Sequence, residues 1–118
     1  MPLLFVYGTL QRGCRNHRQL AGARFLGEAR ALPGWALYDV GGVPGLVAAP
    51  GEDSTVEGEL WEIPTESLVA LDRFEGVPHG PYTRAPIPLT APAPVVAETY
   101  RYELGVHGRL SLPSRWRE

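Results

Sequence analysis

Glycine and proline punctuate this chain more heavily than any other signal in it. There are 14 glycines and 12 prolines among 118 residues. Such a density works against a helical bundle and favours short strands joined by many turns. The length allows one domain, and a chain of this size buries roughly two-thirds of its unfolded-state surface. Hydrophobic residues make up 44% and charged residues 20%, so the chain can afford one core and is not broadly disordered.

The punctuation divides the chain into recognisable pieces. Leu3 to Tyr7 is apolar throughout, as expected of a strand buried on both faces, and Gly8-Thr9-Leu10 breaks it. Asn16 precedes a short helix predicted over His17 to Ala21, closed by Gly22. Strands are predicted over Arg24 to Ala31, Trp35 to Val40 and Gly45 to Ala49, with turns at Pro33-Gly34, Gly41-Gly42 and Pro50 to Asp53. Thr55 to Ile63 alternates: Val56, Gly58, Leu60 and Glu62 face one way, Glu57, Glu59, Trp61 and Ile63 the other. The best helix follows, with Thr65 as its expected N-cap, Glu66 in the first turn and Gly76 at its stop. Tyr82 to Leu89 and Val95 to Glu103 are the last strands; Pro86 and Pro88 assign the first of them to an edge. The expected fold is α+β: a small closed or nearly closed barrel of six to seven strands with short flanking helices, the alternative being an open sheet. Residues 1–104 form the domain. The arginine-rich tail 105–118 is expected to be partly mobile.

Composition removes several function classes. Net charge is −2 and no basic run exceeds two residues, which argues against a phosphate-tracking nucleic-acid surface. All 11 basic residues are arginine, a compositional bias with no functional reading. No apolar stretch approaches the roughly 18 residues of a membrane span. The N-terminus lacks a charged n-region and a cleavage site and reads as a strand, not a signal peptide. The single cysteine excludes an internal disulfide framework and fits a reducing, cytoplasmic setting.

One residue breaks the helical pattern. Leu68 and Leu71 form an apolar stripe, and Glu75 stands on the same face where another apolar residue is expected. Burial there raises a carboxyl pKa, and so does the negative end of the helix. A raised pKa suits a group that takes up and returns a proton near neutrality. The plain alternative is a frayed helix end, with Glu75 in solvent or paired with Arg84. The second feature is the Tyr7-Gly8-Thr9-Leu10 break, where successive backbone N–H groups can cradle an anion or a developing oxyanion; a simple strand-ending turn would look the same.

Read together, Phe5-Val6-Tyr7-Gly8-Thr9-Leu10, Glu57-Gly58-Glu59-Leu60-Trp61 and Leu71-Asp72-Arg73-Phe74-Glu75-Gly76 resemble one family, in its order. Tyr82-Thr83-Arg84 and Tyr100-Arg101-Tyr102 follow, and Asn16-His17 fits loosely. The ordered set, spanning about residues 3 to 103, resembles the γ-glutamylcyclotransferase-like family, which includes γ-glutamylamine cyclotransferases and AIG2-like proteins. That resemblance implies a small barrel with flanking helices. It implies Glu75 as catalytic acid/base, and backbone N–H groups of Gly8, Thr9 and Leu10 holding a γ-glutamyl group. It makes Tyr7, Tyr82 and Tyr100 contributors to the cavity, with Arg84 orienting a carboxylate or pairing with Glu75. The implied partner is a small γ-glutamyl molecule, handled by a monomer or homodimer without metal or cofactor.

Other readings compete. Cys14 and His17 are spaced for a thiolate–imidazole pair if the segment is helical. Cys14, His17, His79 and His107 are possible zinc ligands. A non-catalytic module that binds a γ-glutamyl or amino-acid-like molecule would keep the pocket without turnover. Glu59 is the second choice for a site carboxylate, because alternation places it with Trp61 and Ile63.

Overall fold

The computed structural model describes residues 1–118. Seven strands form: β1 Leu3–Val6, β2 Arg24–Ala31, β3 Trp35–Asp39, β4 Pro44–Ala48, β5 Glu57–Glu62, β6 Tyr82–Ala91 and β7 Val96–Tyr102. One α-helix, α1, spans Thr65–Glu75, and a 3₁₀ turn spans His17–Leu20 in place of the short helix expected there. Five strands close into a barrel in the order β1-β5-β2-β6-β7, and β3 and β4 form a separate two-stranded sheet. Every barrel pair is antiparallel except β1 with β7. No helix is long and apolar enough to cross a membrane.

The period-two alternation of β1 and β5 sorts the core into two compartments. Phe5, Tyr7, Val56, Leu60, Ala29, Ile87 and Ala97 belong to one cluster, which Leu37 and Leu46 of the β3–β4 hairpin extend. Leu4, Val6, Trp61 and Ile63 belong to the other, where Leu68 and Leu71 of α1 and Leu20 of the 3₁₀ turn pack on the outside of the barrel. The two strands approach closely because Gly58 has no side chain. A Cβ there would stand 2.2 Å from the Val6 carbonyl oxygen and 3.1 Å from the Phe5 ring.

Three expectations need correction. The prolines of β6 do not mark a free edge, since the barrel is closed. Leu89 N–H bonds to the Val95 carbonyl, so alternate residues point their N–H groups to β7 and the prolines face the other way. β2 meets β6 only at its far end, Arg30 with Ala91 and Ala31 with Leu89, and thus Pro86 and Pro88 interrupt no ladder bond. Thr65 is not the N-cap but the first helical residue; Pro64 precedes it and makes no side-chain cap. The tail is built into the molecule. Leu112 and Trp116 pack against the barrel cluster, Leu112 N–H bonds to the Leu37 carbonyl, and Gln11 Nε2 donates to the Trp116 carbonyl at 2.9 Å. Trp35 and Phe25 are half-buried at the margins of the two clusters.

Candidate active site

β1 ends at Val6, and the chain turns through Tyr7 to Leu10 at the mouth of the barrel. Buried Gln11 fixes this turn from behind: its side-chain amide donates to the Tyr7 carbonyl at 2.8 Å and to the Gly8 carbonyl at 3.3 Å. Asn16 holds it from the side, with Asn16 N–H on the Thr9 carbonyl at 3.0 Å and Nδ2 on Thr9 Oγ1 at 3.0 Å. Carbonyls and side chains are thereby engaged, whereas the N–H groups of Gly8, Thr9 and Leu10 donate to no protein acceptor. All three residues line a cavity of about 240 Å³. Gly8 suits the wall of this cavity, because a Cβ there would press on Pro44 at 3.0 Å.

The helix supplies the opposite wall. Leu68 and Leu71 anchor α1 to the barrel, and Gly76, at φ 81°, ends it in the left-handed cap expected of glycine. The last helical residue, Glu75, lines the cavity together with Tyr7, Tyr82, Tyr100 and the exposed Phe74. Its carboxylate accepts no hydrogen bond and enters no ion pair. Burial pushes it from the ordinary 4.5 to about 7.

The three tyrosines are raised as well, each chiefly by burial, with the Glu75 charge adding to it. Tyr82 reaches about 12, Tyr7 moves well above its usual value, and Tyr100 is raised further by its hydrogen bond to Asp72. They are neutral donors at physiological pH, and their hydroxyls are committed: Tyr7 to the Tyr100 carbonyl, Tyr82 to the Pro44 carbonyl at 3.1 Å, Tyr100 to Asp72 Oδ1 at 2.7 Å. Glu75 is therefore the one group of the cavity able to exchange a proton near neutrality.

Seven of the eight site residues expected from sequence, all but Arg84, meet around this cavity. Arg84 lies behind the wall. Its Nε bonds to Asp72 Oδ1 at 3.0 Å, its Nη2 to Asp72 Oδ2 at 3.1 Å and its Nη1 to Glu98 at 3.3 Å, so it pairs with Asp72 and not with Glu75. Glu59 is fully buried, but on the outer seam and away from the cavity. His17 Nδ1 sits 2.9 Å from the Leu10 carbonyl and its ring packs on Trp61, leaving Cys14 without an imidazole partner. No three His, Cys, Asp or Glu side chains converge as a metal site would require. Phe5, Val6, Arg15, Asn16, Val43, Pro44 and Phe74 complete the lining. Val43 and Pro44 carry no local signal, because the β3–β4 hairpin brings them in from a distant part of the chain.

The family model described as "Gamma-glutamyl cyclotransferase, AIG2-like" matches residues 4–118. The chain belongs to that family. The human protein named gamma-glutamylaminecyclotransferase is 34% identical over 134 residues, an alignment covering 98% of this chain and 84% of that one. A relative from Vibrio cholerae is 42% identical over 76 residues, which is 64% of each chain. The solved AIG2-like structure from Mus musculus superposes with a TM-score of 0.72 at 27% identity, covering 100% of this chain and 97% of that one. The family match includes the tail, in accord with its packing against the barrel.

Proposed function

We propose that this protein releases 5-oxoproline from a γ-glutamyl amine or γ-glutamyl amino acid, with Glu75 as general acid and base. The observation that carries the reading is an unpartnered, half-buried carboxylate facing a turn of unpaired backbone amides across one small cavity, in a chain of this family.

A γ-glutamyl substrate carries its own nucleophile. Its α-ammonium must lose a proton before it can attack, and a carboxylate held near 7 is a far better acceptor than one at 4.5. The freed amine forms a bond to the γ-carbonyl carbon, and the carbonyl electrons move onto oxygen. The amides of Gly8, Thr9 and Leu10 are the donors available to that oxyanion. Collapse breaks the bond to the leaving nitrogen, which takes the proton from Glu75; the ring nitrogen gives its second proton to the departing amine, and the products are the neutral lactam and an ammonium. One carboxylate thus serves both transfers, and the intramolecular attack supplies its own proximity. The chain's residues need neither metal nor cofactor for this sequence, and Tyr7, Tyr82 and Tyr100 shape the γ-glutamyl pocket. The lone cysteine fits work in the cytoplasm.

The test is 5-oxoproline release from a panel of γ-glutamyl amino acids, γ-glutamyl amines and glutathione, by wild type and a folded Glu75→Gln variant. Release by wild type and its loss in the variant is the expected result. Equal release by both proteins would remove Glu75 from the mechanism, and binding without release would make the chain a non-catalytic module.

A further inference from the structure

The cavity has a single cation on its wall, Arg15, and the cyclisation described above gives it no task. Its position follows from the turn: Asn16 next to it is tied twice to Thr9, so the Arg15 backbone is fixed at the lip. Its side chain is half-exposed, whereas Glu75 is held inside.

The occupant of Arg15 identifies the chemistry it accepts. The side-chain carboxylate of Glu118 straddles it: one oxygen takes the Arg15 backbone N–H, and the other lies 2.6 Å from Arg15 Nε. A backbone N–H and a guanidinium arm set side by side form a two-point carboxylate receptor. The ion pair is part-exposed at both ends, with side chains 55% and 30% accessible. Pairs of that kind hold weakly and exchange readily.

We infer that Arg15 is a specificity-determining residue that receives a carboxylate on the leaving half of the substrate, with Glu118 occupying the place in its absence. This rests on the cyclotransferase reading of the site. The direction of the substrate follows from the chemistry. The α-amine must reach Glu75 inside the cavity, and the γ-carbonyl must reach the turn amides. The leaving group then extends toward the lip, where Arg15 stands. A γ-glutamyl amino acid offers a carboxylate there, and a γ-glutamyl alkylamine offers none. The class favoured is therefore γ-glutamyl amino acids and peptides over γ-glutamyl amines.

Two ligands that differ by one carboxylate test this: γ-glutamyl-alanine and γ-glutamyl-ethylamine. The ratio of their kcat/KM values, acid over amine, is expected to fall about tenfold in Arg15→Gln, mainly through KM, and to recover in part in Arg15→Lys. Glu118→Gln, which weakens the internal competitor, is expected to lower KM for the acid about twofold to threefold and to raise the ratio. An unchanged ratio in Arg15→Gln overturns the inference, whether both substrates suffer equally or neither does. Calorimetric binding of both ligands to Glu75→Gln, with and without Arg15→Gln, separates this from failure of the catalytic reading. A fall in the affinity ratio supports the Arg15 role even if wild type releases no 5-oxoproline. Absence of binding by both ligands overturns it together with the proposed function.

Discussion

Two glutamates are taken out of water in this small molecule, and their surroundings send them in opposite directions. Glu59 lies on the outer seam between barrel and tail. Burial alone would raise its carboxyl, but the Arg12 amide at 3.1 Å, the Arg12 guanidinium at 3.0 Å and the Trp61 indole N–H at 3.1 Å together hold it below 4.5. Arg115 stands a further 3.9 Å away. Glu75, at the barrel mouth, is less deeply enclosed and meets no donor, and burial pushes it to about 7. A buried carboxylate saturated with donors is a fixed charge that fastens structure. One left unsaturated is free to take up and return a proton near neutrality, the role proposed for Glu75.

The largest effect expected from this contrast is on chemistry. Glu75→Gln lowers 5-oxoproline release by ~10²–10⁴-fold while the protein keeps its fold, as read by mass spectrometry of product and by circular dichroism. Glu59→Gln keeps most of the release in whatever fraction stays folded. A reversal of the two results would exchange the roles assigned to the carboxylates.

Next in size is the stability of the seam. Arg12→Ala strips the fully buried Glu59 of its guanidinium and is expected to cost about 3 kcal/mol in urea unfolding, at the low end for a broken buried pair because Arg12 is itself half-exposed. Adding Glu59→Gln should restore part of that loss, since a neutral amide tolerates the site better. The Glu59 contribution is present above 4.5 and disappears as pH falls through its lower folded value. A double variant no more stable than Arg12→Ala would show that packing, not charge, governs the seam.

The mouth should behave in the opposite sense. The folded protein binds a proton at Glu75 more tightly than the unfolded chain does, so this stabilisation is complete below 4.5 and is lost as pH rises through about 7. Glu75→Gln, which mimics the protonated acid, is expected to be more stable than wild type by roughly 1–3 kcal/mol at pH 8, after allowance for partial exposure, and equal to it near pH 4. Denaturation across this range checks it, and kcat/KM of wild type should climb through the same pH as the base ionises. A Gln variant less stable at pH 8 would mean that Glu75 has a partner.

Much of this was legible in the sequence, and the reasons differ by element. The alternation in β5 and the stripe on α1 are local periodicities, so they foretold which faces are buried and that Glu75 interrupts one. The strand-ending Gly8 marked the turn because a free backbone bend has few other causes. Barrel closure was left undecided against an open sheet, because pairing of β1 with β7 joins opposite ends of the chain. The same distance hid the tail: nothing near residue 115 reveals that Glu28, Glu57 and Trp116's partner Gln11 await it. Glu59 was rightly placed with Trp61 and Ile63. Its saturation by Arg12 was invisible, since that depends on where the loop after β1 returns.

Arg84 provides the smallest test, and it bears on the limit of the comparison. It was expected to meet substrate, yet its guanidinium is absorbed by Asp72 and Glu98 at the part-exposed back of the cavity wall. Asp72 is also the acceptor of the Tyr100 hydroxyl, so Arg84 reaches the cavity only through two intermediates. Removing it leaves Asp72 with Tyr100 and with water. Arg84→Ala should therefore cost no more than about 1 kcal/mol, as exposed ion pairs do, and shift KM by less than about threefold. Steady-state kinetics on the best substrate decides between a wall brace and a ligand. A tenfold rise in KM with kcat unchanged would mean that Arg84 leaves Asp72 to hold substrate, and the division between fastening and reacting charges would no longer follow the cavity wall.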